Sequence, residues 1–201
     1  AISGYAELME NDMIPHEEVA QFSSKIRQNA ERLLLLINDT IRLSELDNNV
    51  QQDSAETFDL NELAEKCVDN LKMYARKRDV AIVSIGVSTT INANREMNAE
   101  LIDNLCNNAI RYNNENGNVV VEVGTEQGHP FLRVRDTGIG IPKEHQERVF
   151  ERFYRVDKSR SKQTGGTGLG LAIVKHVVAL HNASIKLKSD VGKGTEITVT
   201  F

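Results

Sequence analysis

The sequence predicts an α+β chain built as two units: a helical hairpin over residues 1–50, then a mixed sheet covered by helices over 56–201. Three observations carry this. An apolar stripe at alternating spacings of three and four residues runs from Val19 to about Leu46. A polar, aperiodic stretch from Asn48 to Glu56 follows, and beyond it short strand patterns stand between helices. The charge breaks in the same place: residues 1–54 carry four Lys/Arg against ten Asp/Glu, the remainder twenty against nineteen.

Each element follows from local pattern. Residues 1–10 read as helix, and Asn11 to Pro15 as a turn before a second helix with Glu17 and Glu18 in its first turn. In that helix six of the eight stripe positions 19, 22, 26, 29, 33, 36, 40 and 43 are apolar, widened by Ala30, Leu34, Ile37 and Ile41. A stripe this wide suits a four-helix bundle, which a homodimer of hairpins completes. Packing against the chain's own second unit is the alternative. Leu60 to Lys77 is amphipathic, Val80 to Val87 and Thr90 to Ala93 read as strands, and Glu96 to Tyr112 as helix. Val119–Val123 and Phe131–Arg135 read as paired strands after an Asn116-Gly117 turn. Leu169 to Leu180 is helical, and Ser184–Lys188 with Glu196–Phe201 close as a hairpin through Gly192-Lys193-Gly194. Hairpins at the ends argue for a mixed sheet over a doubly wound parallel one.

Composition narrows the function. With 40% hydrophobic and 26% charged residues, the chain is of ordinary globular type. A net charge of −5 argues against broad nucleic-acid binding. No apolar run nears the roughly 20 residues of a membrane helix, and no signal peptide opens the chain. Ala1-Ile2-Ser3, with no initiator Met, reads as an internal cut. Cys67 and Cys106 fall on apolar helix faces and read as buried thiols of a reducing compartment.

Three stretches carry chemistry. Asn104, Asn108 and Arg111 stand at i, i+4 and i+7 on one helix face. Asn is a poor helix former, so these are either solvated amides or ligands: a carboxamide oxygen for a hard cation such as Mg²⁺, and a guanidinium for phosphate. Asp136-Thr137-Gly138-Ile139-Gly140 follows a strand; it is a turn, or a carboxylate accepting from an exocyclic amine beside glycines that admit a flat ligand. Gly165 to Leu171 runs directly into a helix, whose free amides and dipole favour an anion. Leu171 occupies the place of the last glycine of a dinucleotide fingerprint counted from Gly166, and no G-x-x-x-x-G-K-[ST] loop occurs.

Together these stretches resemble the motifs of bacterial sensor histidine kinases. Asn104–Tyr112 resembles their N box, Asp136–Gly140 their G1 box, Phe150–Arg155 their F box, Gly166–Gly170 their G2 box and Gly192–Thr195 a final glycine box. Ala1–Tyr5 is similar to the stretch after their H box. The resemblance implies a dimerising hairpin followed by an α/β sandwich of Bergerat type that binds ATP and Mg²⁺. It implies that Asp136 binds the adenine amino group, that Tyr112 lies against the ring, and that Gly138, Gly140 and Thr195 line the nucleotide. Asn108 would hold the metal with Asn104 in support. Arg111 and Arg155 would contact phosphates cradled at Gly166, Gly168, Leu169 and Gly170. Residues 156–167, with Lys158, Arg160 and Lys162, would be a lid hinged near Phe150 and Phe153. A response-regulator receiver domain would be the partner, in a cytoplasmic unit of a membrane-anchored parent.

One departure matters. None of His16, His129, His145, His176 or His181 stands in the family's H-E-[LF]-[RK]-T-P acceptor context, so this chain is expected to bind ATP without labelling itself. Two rivals remain. ATPases of the gyrase and mismatch-repair type share the N box but place a Glu base four residues before the metal Asn; here that position is Asn104. A docking module without activity would tolerate loss of Asp136 or Asn108, and both are present.

Overall fold

The structure is a computed structural model that describes residues 2–11, 13–47, 55–156 and 166–201. Helix α1 (Ile2–Glu10) and helix α2 (Val19–Asp47) form the hairpin, joined by a single 3₁₀ turn at His16–Glu18. The two helices meet where Tyr5 packs edge-on to Phe22, ring centroids 5.4 Å apart, with the Lys25 ammonium over both rings.

The second unit begins one element earlier than the sequence patterns show. Strand β1 (Ala55–Asp59) starts inside the stretch read as a linker and pairs antiparallel with β3 (Thr90–Asn94). It buries Phe58 alone among its five residues, too little to register as an alternating pattern. Helix α3 (Leu60–Arg76) follows at once because Asp59 caps it, accepting from the Asn61 and Glu62 N–H groups. Helix α4 (Arg95–Arg111) is capped in the same way by Asn94, which accepts from Met97 N–H at 2.9 Å.

Strands β2 (Ala81–Gly86), β4 (Asn118–Glu126), β5 (His129–Asp136), β6 (Ser184–Asp190) and β7 (Gly194–Thr200) form the main sheet in the order β2-β4-β5-β7-β6. The β2–β4 pair is parallel and the others are antiparallel, so the sheet is mixed, as expected. Period-two alternation sends Val119, Val121, Val123, Leu132, Val134, Ile197 and Val199 to one face, all buried. Helices α3, α4 and α5 (Gly170–Leu180) cover that face. The opposite face carries a charged ladder, with Arg133 paired to Glu122 at 2.9 Å and Arg135 to Glu196 at 2.7 Å. His181 staples the helical layer: its Nε2 accepts from Asn94 N–H at 3.1 Å while Nδ1 donates to the Val177 carbonyl at 2.8 Å.

The hairpin's stripe is divided. Leu43 is 4% exposed within the core of the second unit, and Leu36 packs on it. Arg42 reinforces this contact through Glu100 at 2.7 Å. Leu33, Leu34, Ile37 and Ile41, on neighbouring faces of α2, stay exposed.

Candidate functional site

A cleft of about 600 Å³ opens between α4, the loop after β5, the segment before α5 and the flank of α2. That volume lies within the ordinary range for small-molecule sites. Its wall includes Asn104, Asn108, Arg111 and Tyr112 from the end of α4, Asp136 from the end of β5, and Thr195 from β7. Gly140, Arg155, Gly166, Gly168 and Gly170, also singled out by sequence patterns and resemblance, line it as well, whereas Gly138 and Leu169 do not. The Asn108 face and Asp136 therefore open on the same space.

Asp136 is held rigidly. Its Oδ1 accepts from Gly138 N–H at 2.8 Å and from Thr195 N–H at 3.2 Å. Burial pushes its carboxyl up to about 6, against the two hydrogen bonds that favour the charged form. The loop beyond it is stitched on both sides: Ile139 N–H donates to the Tyr112 carbonyl at 3.1 Å, and Gly192 N–H donates to the Ile139 carbonyl at 2.9 Å. Gly138 packs against the last turn of α4, where a Cβ would overlap the Tyr112 carbonyl oxygen. Gly140 has φ +70°, and a Cβ there would overlap the Asp190 carbonyl. Gly138 thus lies behind the cleft wall, fixing the approach of the loop to the helix.

On α4, Asn104 donates through Nδ2 to its own helix at the Glu100 carbonyl, 2.9 Å away. Its Oδ1 faces the first turn of α5, 2.7 Å from where a Cβ on Gly170 would stand. The glycine at the head of α5 thus lets the two helices approach within reach of one small ligand. The Leu169 side chain is fully buried, and its N–H donates to Thr167 Oγ1 at 3.2 Å. Thr167 in turn donates to Asp39 Oδ2 at 2.7 Å, so the hydroxyl that satisfies this amide is tied to the hairpin. Asp39 and Leu35 join the cleft wall from α2. Sequence patterns gave no sign of either, since both read as ordinary positions of an amphipathic helix.

Arg155 has Nε and Nη2 buried without a hydrogen-bond partner, as does Nε of Arg111. Burial, then the like charges of Arg32 and Arg111, hold Arg155 below the ordinary guanidinium range. Such unsatisfied donors mark a place for an anion. The lid cations Lys158, Arg160 and Lys162 lie outside the described residues. Phe150 and Phe153 flank the segment leading to Arg155, Phe153 being 59% exposed with φ +62°.

Among the described residues no cluster of three or more His, Cys, Asp or Glu could hold a metal ion. The oxygen donors in the cleft include the Asn108 and Asn104 carboxamides, which suit a hard cation that keeps waters and phosphate oxygens as its other ligands.

Two family models match the sequence: His Kinase A (phospho-acceptor) domain over residues 1–49, and Histidine kinase-, DNA gyrase B-, and HSP90-like ATPase over residues 94–201. The chain is 36% identical over its whole length to the sensor protein kinase WalK of Staphylococcus aureus, and it spans 49% of that relative's length. The fold is shared with full-length ShkA in complex with AMPPNP, at TM-score 0.76 and 25% identity, covering 98% of this chain and 41% of that one. It is shared also with histidine kinase ThkA in complex with response regulator protein TrrA, at TM-score 0.77 and 20% identity, covering 100% and 56%. This chain belongs to the two-component sensor histidine kinases, joining a helical hairpin of the His Kinase A type to an ATPase domain of the histidine kinase and gyrase B type.

Proposed function

We propose that the cleft binds Mg-ATP and that the chain is the core through which the γ-phosphoryl group passes to a histidine nitrogen and then to a response-regulator aspartate. The observation that carries this reading is the convergence, in one cleft, of the Asp136 carboxylate, the Asn108 and Asn104 carboxamides and the Arg111 and Arg155 guanidiniums. Each suits a different part of the nucleotide.

Asp136 accepts a hydrogen bond from the adenine amino group, and Tyr112 lies along the ring. Asn108 ligates the cation, which would neutralise phosphate charge when bound; Asn104 supports it. Arg111 and Arg155 take phosphate oxygens, and the head of α5 faces them with Gly166, Gly168 and Gly170. In the transfer, the histidine nitrogen forms a bond to the γ-phosphorus as the bond to the β-γ bridging oxygen breaks, and ADP departs. The protein contributes positioning and charge stabilisation more than covalent chemistry. Asn104 cannot accept a proton from water, which disfavours simple hydrolysis as the main outcome.

The exposed apolar residues Leu33, Leu34, Ile37 and Ile41 favour a homodimer through the hairpin. The complexes of ShkA with AMPPNP and of ThkA with the response regulator protein TrrA support a nucleotide and a response regulator as ligands of this architecture. No helix among the described residues is long and apolar enough to cross a membrane. None of the five histidines has the acceptor context, so this chain is expected to accept no label of its own.

Calorimetric titration tests the site. ATP should bind in a Mg²⁺-dependent manner, and Asp136→Asn should weaken it by roughly tenfold or more. Normal binding by that variant would remove Asp136 from the adenine site. A longer chain carrying the acceptor pattern should take up acid-labile label from γ-phosphate-tagged ATP.

A further inference from the structure

We propose that Arg32, on hairpin helix α2, is a third phosphate-binding guanidinium of this site, acting beside Arg111 and Arg155 on the terminal phosphate of a nucleoside triphosphate. The proposal rests on the reading above that the cleft takes a nucleotide. It adds a residue from outside the ATPase domain, supplied by the hairpin.

Helix geometry puts Arg32 on the correct face. Positions 32, 35, 36, 39 and 43 share one side of α2 at spacings of three and four. Leu35 and Asp39 line the cleft, Leu36 packs on the core and Leu43 is buried in it. Arg32 stands one turn before Leu35 and Leu36, on the side of the hairpin that meets the second unit. Its charge acts on Arg155 together with that of Arg111. Three guanidiniums from α2, α4 and the F-box segment therefore converge.

They also converge without an acceptor. Arg32 Nε, Arg111 Nε, and Nε with Nη2 of Arg155 are all withdrawn from solvent with no hydrogen-bond partner. The same helix shows how this protein treats a structural arginine: Arg42 is paired with Glu100 at 2.7 Å and Glu45 at 3.1 Å. Gathering like charges while leaving their inner nitrogens unpaired is costly unless an anion joins them. A terminal phosphate, with three oxygens of its own, can accept from three guanidinium forks at once. A diphosphate leaves that place empty, so the hairpin would sense which nucleotide is bound.

Binding of ATP and ADP by the whole chain tests this by calorimetry, with Arg32→Gln and Arg32→Lys beside the wild type. Arg32→Gln should weaken ATP by about tenfold while leaving ADP within about twofold, collapsing the preference between them. Arg32→Lys should keep part of the preference, because it retains the charge and loses the fork. It also serves if the Gln variant fails to fold. An unchanged ATP-to-ADP ratio in both variants would overturn the role of Arg32 and leave the nucleotide site standing. A wild type that binds neither nucleotide would overturn the site itself. Inorganic phosphate alone is the third arm: stabilisation of the wild type by it equal to that by ATP, with no ATP preference, would assign the cluster to free phosphate and overturn the proposal.

Discussion

Asp39 on the hairpin accepts a 2.7 Å hydrogen bond from the hydroxyl of Thr167, across 128 positions of sequence. Thr167 accepts in turn from Leu169 N–H, so a hairpin carboxylate reaches the head of α5, where the helix dipole favours negative charge. Thr167→Val removes both bonds without changing the shape much. It should cost about 1–3 kcal/mol and speed amide hydrogen exchange at Leu169 and its neighbours. Exchange at the wild-type rate would show that the contact is incidental.

The half-buried Asp136 carboxyl has a clear pH signature. Its folded value of about 6 lies above the ordinary 3.8, so the fold favours the protonated form. The stabilising share of that proton is fully present below about pH 4 and is lost as pH rises through about 6. Adenine binding runs the other way, because an exocyclic amine needs a carboxylate acceptor. ATP affinity should therefore climb between about pH 5 and pH 7, and Asp136→Asn should flatten the curve. A flat wild-type profile measured by calorimetry would count against the assignment.

Two glycines with left-handed backbone separate strain from collision. Gly128 has φ +84° with no atom within 4 Å of an added Cβ, whereas Gly140 has φ +70° with the Asp190 carbonyl in the way. Gly128→Ala should cost only about 1–2 kcal/mol. Gly140→Ala should cost at least about 2–3 kcal/mol and displace the loop that follows Asp136. Chemical denaturation of both variants measures the difference; equal losses would mean that the loop yields freely.

Asn108→Ala should abolish the Mg²⁺ dependence of ATP binding while leaving the nucleotide-only affinity within about twofold. Superimposable Mg²⁺ titrations of variant and wild type would take the metal role away from this residue.

The thiols should be silent. Cys67 is 5% exposed and Cys106 fully buried; burial pushes the Cys67 thiol up to about 12, and the Cys106 thiol up further. Neither should react with Ellman's reagent in the native protein near pH 8, and both should react once urea unfolds it. Rapid native reaction of either would indicate local opening of α3 from α4.

Much of this molecule is written in local pattern. The three-and-four stripe of α2, the amphipathic α3 and α4, and the alternating β4, β5 and β7 follow from which residues must face an apolar layer, and each is legible within a dozen positions. The cleft residues of α4 and of the glycine-rich loops were legible too, because Asn in mid-helix and glycines at a strand end and a helix head are poor choices for stability alone; Asp39 was not. Ordered motifs from Asn104 to Thr195 then tied them together.

What remained belongs to contacts between distant segments. The strand β1, with Phe58 as its only buried residue, exists because β3 offers it an edge. Parallel pairing of β2 with β4 depends on where α3, β3 and α4 pack. The bond from Thr195 N–H to Asp136 spans 59 positions, and the division of helix α2 between Leu43, Asp39 and Arg32 on one side and Leu34, Ile37 and Ile41 on the other reflects a docking surface more than 50 residues away. Backbone periodicity encodes which side of an element is apolar. Only the packed tertiary structure decides which neighbour that side meets, because that choice is made by burial and charge summed over segments far apart in the chain.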